Sequence, residues 1–272
     1  MARGPGDFMS IKVLLQSMWQ DYCDLNPSAK KIHDLFEDKG ETVVNDHIAL
    51  RTFQHPKLGL KVLARHFEVL GYKKMGEYRF EEKKLYAEHF EHVRGEEPKI
   101  FISELELHRL SPFVRDECEK MIAQVPATAP LNYDFLYSGR HWTMSHATYL
   151  ALAAESEYAS WLAAFGFRPN HFTVSVNHLS KLADLPTLNA FVKQNGYVLN
   201  ASGGEIKGSV AVHLEQSSTM ARPVLTEFSD GKFEVPGCYY EFAKRYPLAD
   251  GKLYQGFVEK SADKIFESTN RQ

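Results

Sequence analysis

The strongest constraint on the fold is the stretch at 170–179, N-H-F-T-V-S-V-N-H-L, in which polar and apolar side chains alternate strictly. One face carries His171, Thr173, Ser175 and Asn177, and the other carries Phe172, Val174 and Val176. This period of two is typical of a β-strand with one buried face. We therefore expect the apolar face to pack on a helix and the polar face, with its histidine, to line a cavity.

A second stretch at 45–53, N-D-H-I-A-L-R-T-F, has a similar design. One face carries His47, Ala49 and Arg51, and the other carries Ile48 and Leu50. Each of the two strands is followed by a helical segment that ends at a Gly-Tyr pair, at 71–72 and at 196–197. Internal repetition of this kind predicts two duplicated supersecondary units.

Both units have the predicted order of a strand, a helix and further strands. The first unit, 45–108, has strands at 45–53, 72–80, 84–92 and 99–107 and a helix at 60–70. The second unit, 169–246, has strands at 170–179, 209–215 and 238–245 and a helix at 185–194. Further helices are predicted at 9–22 and 27–38 in segment 1–44, at 112–124 and 145–165 in the insert 109–168, and at 261–268 in segment 247–272. Ser28 and Ser261 are candidate N-caps because a serine oxygen accepts a hydrogen bond from a free helix N–H group.

These elements predict a single domain over 1–272 of the α+β class. The two βαβββ modules would form a curled, barrel-like mixed sheet around a metal site. The helical insert would join the modules, and helices would lie at both termini. Polar strand faces would then point inward, and apolar faces would pack on helices.

Composition excludes several classes of function. The 272 residues are 44% hydrophobic and 25% charged, which is ordinary for a folded soluble protein. The net charge of −3 lacks the excess of positive charge that is typical of nucleic-acid-binding proteins. No apolar run reaches the length of a membrane span, and the first ten residues lack the apolar core of a signal peptide. The three cysteines are far apart and odd in number, which favours a reducing compartment. We expect a cytoplasmic monomer or homodimer without nucleic-acid or membrane partners.

Three side chains on three predicted strands are candidate metal ligands. In the last strand Tyr239, Glu241 and Ala243 share a face, so Glu241 would project beside His171 in a curled sheet. His47, His171 and Glu241 would form a facial triad of two imidazoles and one carboxylate. This set leaves adjacent positions open on an octahedral ion and suits Fe(II), although Zn, Mn, Ni or Co are compatible with the same ligands.

Arg51 is the candidate substrate-binding and catalytic residue because it follows His47 by four positions on the same face. This separation is about 13 Å along a strand, part of which the guanidinium can span. An arginine holds a carboxylate through two parallel hydrogen bonds. A metal and Arg51 in one pocket would favour a dicarboxylate with one end at the ion and the other at Arg51.

Structural alternatives exist for each candidate. His178 is a rival of His171, although seven residues along a strand invert the face, and Glu104 and Glu106 are rival carboxylates in the last strand of the first module. Glu241 could instead form an ordinary salt bridge with Lys244 or Arg245. Arg51 could likewise pair with Asp46 or Glu104 in a structural role. Ser261 is a helix cap by position, and Phe53, Tyr239 and Tyr240 are expected in the cavity wall and core.

Three segments together resemble the 2-oxoadipate dioxygenase/decarboxylase family, also called hydroxyglutarate synthases. They are N-D-H-I-A-L-R-T-F, P-N-H-F-T-V-S-V-N and G-C-Y-Y-E-F-A-K-R. The resemblance spans about residues 40–268, and the family is related in fold to the vicinal oxygen chelate superfamily. Better-known members are considerably longer than this chain.

The resemblance implies Fe(II) held by His47, His171 and Glu241, with Arg51 on the distal carboxylate of the substrate. It also implies that Ser261 approaches the substrate. The family's activity would be an iron-dependent dioxygenase that decarboxylates a 2-oxo dicarboxylic acid with O₂, turning 2-oxoadipate into 2-hydroxyglutarate and CO₂. Lysine catabolism is the pathway that the family suggests.

Two other functions fit the same fold. A glyoxalase-like isomerase or lyase would use Zn or Ni without O₂, and a small-molecule binding protein would perform no reaction. A hydrolase is disfavoured because the chain has neither a G-x-S-x-G elbow nor an H-E-x-x-H motif.

Overall fold

The computed structural model describes residues 10–270. The helix predicted at 9–22 is found over Ile11–Leu25, and its predicted first residue, Met9, lies outside the described residues. No helix among residues 10–270 is both long enough and apolar enough to cross a membrane.

Eight α-helices and ten β-strands are found in the described part of the chain. The helices are α1 (Ile11–Leu25), α2 (Pro27–Asp38), α3 (Leu60–Glu68), α4 (Pro112–Gln124), α5 (His146–Glu155), α6 (Glu157–Phe165), α7 (Leu185–Gln194) and α8 (Glu259–Phe266). The strands are β1 (Asn45–Phe53), β2 (Tyr72–Phe80), β3 (Leu85–His92), β4 (Lys99–Leu105), β5 (Pro169–Ser175), β6 (Lys207–Ser209), β7 (Leu214–Ser218), β8 (Pro223–Phe228), β9 (Gly231–Pro236) and β10 (Tyr239–Arg245).

Eight strands form one mixed sheet in the order β2-β3-β4-β1-β5-β10-β7-β6. The two lead strands, β1 and β5, lie antiparallel at its centre. On either side of them the pattern repeats, because β1 pairs in parallel with β4 and β5 pairs in parallel with β10. The predicted α+β class with a curled mixed sheet built from two repeated units is therefore confirmed.

Helices cover the apolar face of the central strands. The ring of Phe172 on β5 packs edge-on against Trp19 of α1, with ring centroids 5.0 Å apart, and contacts Tyr22 as well. Every residue of β5 is buried, including those with polar side chains. The inward face is therefore shielded from water, and its polar groups must be paired within the protein or with a ligand.

Two predicted elements end earlier than expected. The helix predicted at 145–165 is divided into α5 and α6 at Ser156, because the Ser156 side chain accepts from the N–H of Ala159 at 3.1 Å and starts a new helix. The strand predicted at 170–179 ends at Ser175 and continues as a 3₁₀ turn, Val176–His178. In that turn, His178 Nδ1 lies 2.9 Å from the hydroxyl of Ser175.

The single strand predicted at 209–215 is wrong, because β6 ends at Ser209 and β7 begins at Leu214. A 3₁₀ turn, Val210–Val212, separates β6 from β7, and His213 follows it with a left-handed φ of +61°. The hairpin of β8 and β9 was not predicted. Neither serine cap is found, because Pro27 begins α2 directly after Asn26 and α8 begins two residues before Ser261.

Candidate metal centre

The three predicted ligands lie on the three strands at the centre of the sheet. On β5, Thr173 is the register partner of both His47 on β1 and Glu241 on β10. Residues that are opposite one another on neighbouring strands form a row across the sheet. His171 lies in the next row on the same face, opposite Ala49 on β1 and Tyr239 on β10. Strand pairing therefore gathers residues that are far apart in the sequence onto neighbouring positions of one face.

The ligand atoms converge on one point. One nitrogen from each histidine and one oxygen of Glu241 all lie within 4.8 Å of one another. Nε2 of His47 is 3.5 Å from Glu241 Oε1, and Nε2 of His171 is 3.2 Å from Glu241 Oε2. All three residues are at most 3% exposed. Two imidazoles and a carboxylate at this spacing can hold a divalent ion.

Both imidazoles are oriented by oxygens on their far side. His47 Nδ1 lies 2.8 Å from Asp46 Oδ1, and His171 Nδ1 lies 3.0 Å from Asn170 Oδ1. A hydrogen bond donated by Nδ1 leaves the lone pair of Nε2 free for a metal. The sequence holds a signal for this arrangement, since each histidine directly follows an oxygen-bearing residue, but neither Asp46 nor Asn170 was predicted in this role.

The carboxylate has its own support. Gln216 on β7 donates from Nε2 to Glu241 Oε1 at 2.6 Å, and the Gln216 side chain is buried. No pattern in the sequence points to Gln216, because only strand pairing brings β7 beside β10.

Burial controls the protonation of the site. The pKa of His171 is well below its ordinary value because of burial, followed by repulsion from His47 and Arg51. Burial also raises the pKa of Glu241, which His47 and the hydrogen bond from Gln216 partly oppose. A neutral imidazole is the ligating form, and a bound cation would favour the ionised carboxylate. The donor set thus fits a divalent transition metal, without selecting one.

Strand register excludes the rival carboxylates. His47 is opposite Lys99 on β4, as His171 is opposite Tyr239 on β10, so the position equivalent to Glu241 is Phe101. Glu104 instead accepts the N–H of Leu60 at the start of α3, at 2.8 Å. Glu106 forms ion pairs with arginines 79 and 109.

Arg51 lies on the same face but already has an acidic partner. Its Nη1 donates to Glu157 on α6 at 2.9 Å, and its Nη2 donates to Thr269 at 3.3 Å. The guanidinium is buried between the rings of Tyr158 and Trp161, at 4.8 and 5.1 Å. The predicted alternatives, pairing with Asp46 or Glu104, are wrong. Neither Glu157 nor Thr269 was foreseen, because both lie on elements far along the chain.

A cavity of about 20 Å³ adjoins the three ligands, which is room for about one water molecule or ion. It is lined by His47, Phe101, His171, Gln216, Glu241, Phe257, Ala262, Ile265 and Phe266. Ser261 is buried in α8 beside this lining, and its hydroxyl lies against Gly208 of β6. The cavity wall thus includes α8, but the structure turns the Ser261 side chain toward the sheet edge.

The chain matches a family model described as 2-oxoadipate dioxygenase/decarboxylase over residues 12–129 and 133–252. A curated relative from Oryza sativa subsp. japonica, named 2-oxoadipate dioxygenase/decarboxylase, chloroplastic/amyloplastic, is 35% identical over 286 residues. The match covers 95% of this chain and 78% of the rice protein.

Solved structures have the same fold. Hydroxyglutarate synthase from Oryza sativa in complex with 2-oxoadipate aligns with a TM-score of 0.88 and 34% identity, over 99% of this chain and 97% of that chain. A Shewanella frigidimarina structure, provisionally called a hydrolase, aligns with a TM-score of 0.89 and 52% identity, over 93% and 100% of the two chains. A protein from Ralstonia eutropha, provisionally assigned to the glyoxalase superfamily, is similar in fold, with a TM-score of 0.72 and 20% identity over 94% and 92%.

This chain matches 97% of the crystallised rice chain and 78% of the curated rice protein. The fold relationship to glyoxalase-like proteins is also as expected from the sequence. Family model, curated relative and solved structure agree. The chain belongs to the 2-oxoadipate dioxygenase/decarboxylase family.

Proposed function

We propose that this protein is an Fe(II)-dependent dioxygenase that converts 2-oxoadipate and O₂ into 2-hydroxyglutarate and CO₂. Its family membership supports the reaction. The observation that carries the proposal is the convergence of His47, His171 and Glu241, whose donor atoms lie within 4.8 Å of one another in a buried site. This ligand set is the one that non-haem iron oxygenases use.

A bound Fe(II) would polarise the keto group of the substrate and activate O₂. The protein's part is to hold that ion with neutral imidazoles and one carboxylate, so that an M²⁺ site keeps a net charge of about +1. This residual charge favours an anionic 2-oxo acid. Burial of the three ligands keeps bulk water away from the reacting atoms.

Arg51 is proposed to bind the second carboxylate of the substrate and so to position its chain. Nε of Arg51 is buried and has no hydrogen-bond partner within residues 10–270. The ion pair with Glu157 uses Nη1. Nε and Nη2 form the side edge of the guanidinium. This edge can donate two parallel hydrogen bonds to the two oxygens of one carboxylate. Correct placement of a substrate contributes orders of magnitude to an enzymatic rate.

Ser261 is proposed as a further substrate contact from α8. Its support is position, since the neighbouring Ala262 lines the cavity beside the metal ligands. We also propose that the protein works as a monomer or homodimer in the cytoplasm. The three free, buried cysteines support a reducing compartment.

The test is to load the protein with Fe(II) without oxygen, add 2-oxoadipate and then admit O₂. We expect one O₂ consumed for each CO₂ released, with 2-hydroxyglutarate as the product, and no turnover by Glu241→Ala. A metal-dependent isomerase would change the substrate without consuming O₂. A binding protein would leave the substrate unchanged, and either result would refute the proposal.

A further inference from the structure

Three rows of inward-facing residues lead from the metal site to Arg51. The first row has His47, Thr173 and Glu241, and the second has Ala49, His171 and Tyr239. Arg51 lies in the third row, two residues beyond Ala49 on the same strand face. Rows two residues apart are separated by about 6.8 Å. A substrate that joins the ion to Arg51 must therefore cross the second row.

The second row also includes Phe101 on β4, opposite Ala49, so two of its large side chains, Phe101 and Tyr239, are not metal ligands. Of these two, only Tyr239 carries a polar atom on its side chain. Its ring stacks on His171, with centroids 4.5 Å apart and planes at 24°. The residue is fully buried, and its hydroxyl has no hydrogen-bond partner in the described chain. Stacking accounts for the ring, which phenylalanine would supply equally well. It does not account for the hydroxyl, because an unpaired buried polar group costs about 1–3 kcal/mol.

Tyr239 and Arg51 project from one face of the sheet, in neighbouring rows. Arg51 itself keeps Nε unpaired, and its Nη2 has only the 3.3 Å contact with Thr269. Tyr239 and Arg51 thus each carry a buried donor without a partner, on neighbouring rows of the same sheet face.

We propose that the Tyr239 hydroxyl and the side edge of Arg51 together bind the far carboxylate of a 2-oxo dicarboxylate. A carboxylate accepts up to about four hydrogen bonds, enough for both groups. Ala49 contributes only a methyl group to the second row. This inference rests on the proposed function and names Tyr239 as a residue that selects dicarboxylates over monocarboxylates of equal length.

The experiment compares 2-oxoadipate with 2-oxohexanoate, which has a methyl group in place of the far carboxylate. Metal-loaded protein without oxygen is titrated with each acid by calorimetry. Tyr239→Phe keeps the ring on His171 and removes only the hydroxyl. We expect its affinity for 2-oxoadipate to fall about tenfold, the worth of one charge-assisted hydrogen bond. Its affinity for 2-oxohexanoate should change less than twofold.

Tyr240→Phe is the matched control. Tyr240 is also fully buried with an unpaired hydroxyl, but it lies on the opposite face, against Trp19 and Tyr22 of α1. It should not change the affinity for either acid. In turnover assays, Tyr239→Phe should raise KM for 2-oxoadipate more than it lowers kcat, with metal content equal to that of the unaltered protein.

Equal losses for the two acids, or no loss for 2-oxoadipate, would overturn the role of Tyr239. Because calorimetry does not depend on turnover, failure of the two proposals can be told apart. A protein that binds 2-oxoadipate tightly but consumes no O₂ would refute the proposed reaction and keep the carboxylate pocket. A protein that consumes O₂ but binds both acids equally would refute the pocket alone.

Discussion

Arg245 holds Asp46 through two hydrogen bonds, from Nε to Oδ2 at 2.7 Å and from Nη2 to Oδ1 at 2.9 Å, and both residues are buried. Asp46 Oδ1 is also 2.8 Å from His47 Nδ1. Burial alone would raise the pKa of Asp46, but the charge of Arg245 and the hydrogen bonds from His47 and Arg245 lower it far below its ordinary value. An ionised Asp46 therefore fixes the orientation of His47.

Asp46→Asn should weaken metal binding and stability together. We expect metal affinity to fall about 10–100-fold, as for other changes to groups that orient a ligand. The free energy of unfolding should fall by roughly 3–5 kcal/mol, because Arg245 would keep a buried charge without its partner. Metal titration and urea unfolding measure these effects. Asp21→Asn, beside Arg168 at 3.7 Å, is the control, and unchanged metal affinity in Asp46→Asn would contradict the prediction.

Glu241→Gln should reduce metal affinity by more than 100-fold, because an amide supplies neither the charge nor the ligand strength of a carboxylate. Glu104→Gln should keep full metal affinity and lose about 1–2 kcal/mol of stability, since Glu104 accepts the N–H of Leu60 at the start of α3. Metal content after dialysis distinguishes the two variants. Retention of the metal by Glu241→Gln would exclude Glu241 as a ligand.

Arg51→Lys should lower the affinity for dicarboxylic 2-oxo acids at least tenfold while the metal still binds, because an ammonium lacks the two-point edge of a guanidinium. Glu157→Gln should have the opposite effect, since it removes the negative charge 2.9 Å from Arg51. A severalfold gain in dicarboxylate affinity is expected in that variant. Substrate titration of both proteins is the measurement. A loss of dicarboxylate affinity in both variants would mean that the Arg51–Glu157 pair has a structural role only.

Removing the metal should lower the melting temperature. An ion present at 100 times its Kd stabilises the folded state by about 2.7 kcal/mol. For a chain of this size, that corresponds to roughly 5–10 °C. The shift should be reversed by adding Fe(II) back after chelation, and it should be absent in His171→Ala. An equal shift in that variant would locate the stabilising ion elsewhere.

Glu41 should make stability depend on pH. Its carboxylate accepts the N–H groups of Ser180, Lys181 and Leu182 at 2.7–2.8 Å. Burial raises the pKa of Glu41, but these bonds outweigh burial and lower it below its ordinary value. The stabilisation is therefore present above the unfolded pKa, about 4.3, and is lost as the pH falls through the folded pKa.

Glu41→Gln should thus lower the free energy of unfolding at pH 7 by on the order of 1–3 kcal/mol, and the difference should shrink below about pH 4. Glu37→Gln, at the exposed end of α2, should have almost no effect at any pH. Urea unfolding at several pH values measures both variants. A loss in Glu41→Gln that does not vary with pH would show that the charge of Glu41 is not what stabilises the fold.

The sequence by itself determined the local features on which the site depends. Alternation of polar and apolar residues assigned β1 and β5 and placed His47 and His171 on their inward faces, because neighbouring side chains of a strand point to opposite sides. The repeated order of elements predicted the two halves of the sheet. The residue types then limited the site to a divalent metal with an anionic substrate.

The tertiary structure decided which distant groups meet. The register of β10 against β5 selected Glu241, whereas the equivalent position on β4 holds Phe101. The ion pairs of Arg51 with Glu157 and of Asp46 with Arg245 also join residues more than one hundred positions apart. Periodicity reports only the face of its own element. Strand register and long-range pairs depend on how elements pack together, and no local pattern contains that information.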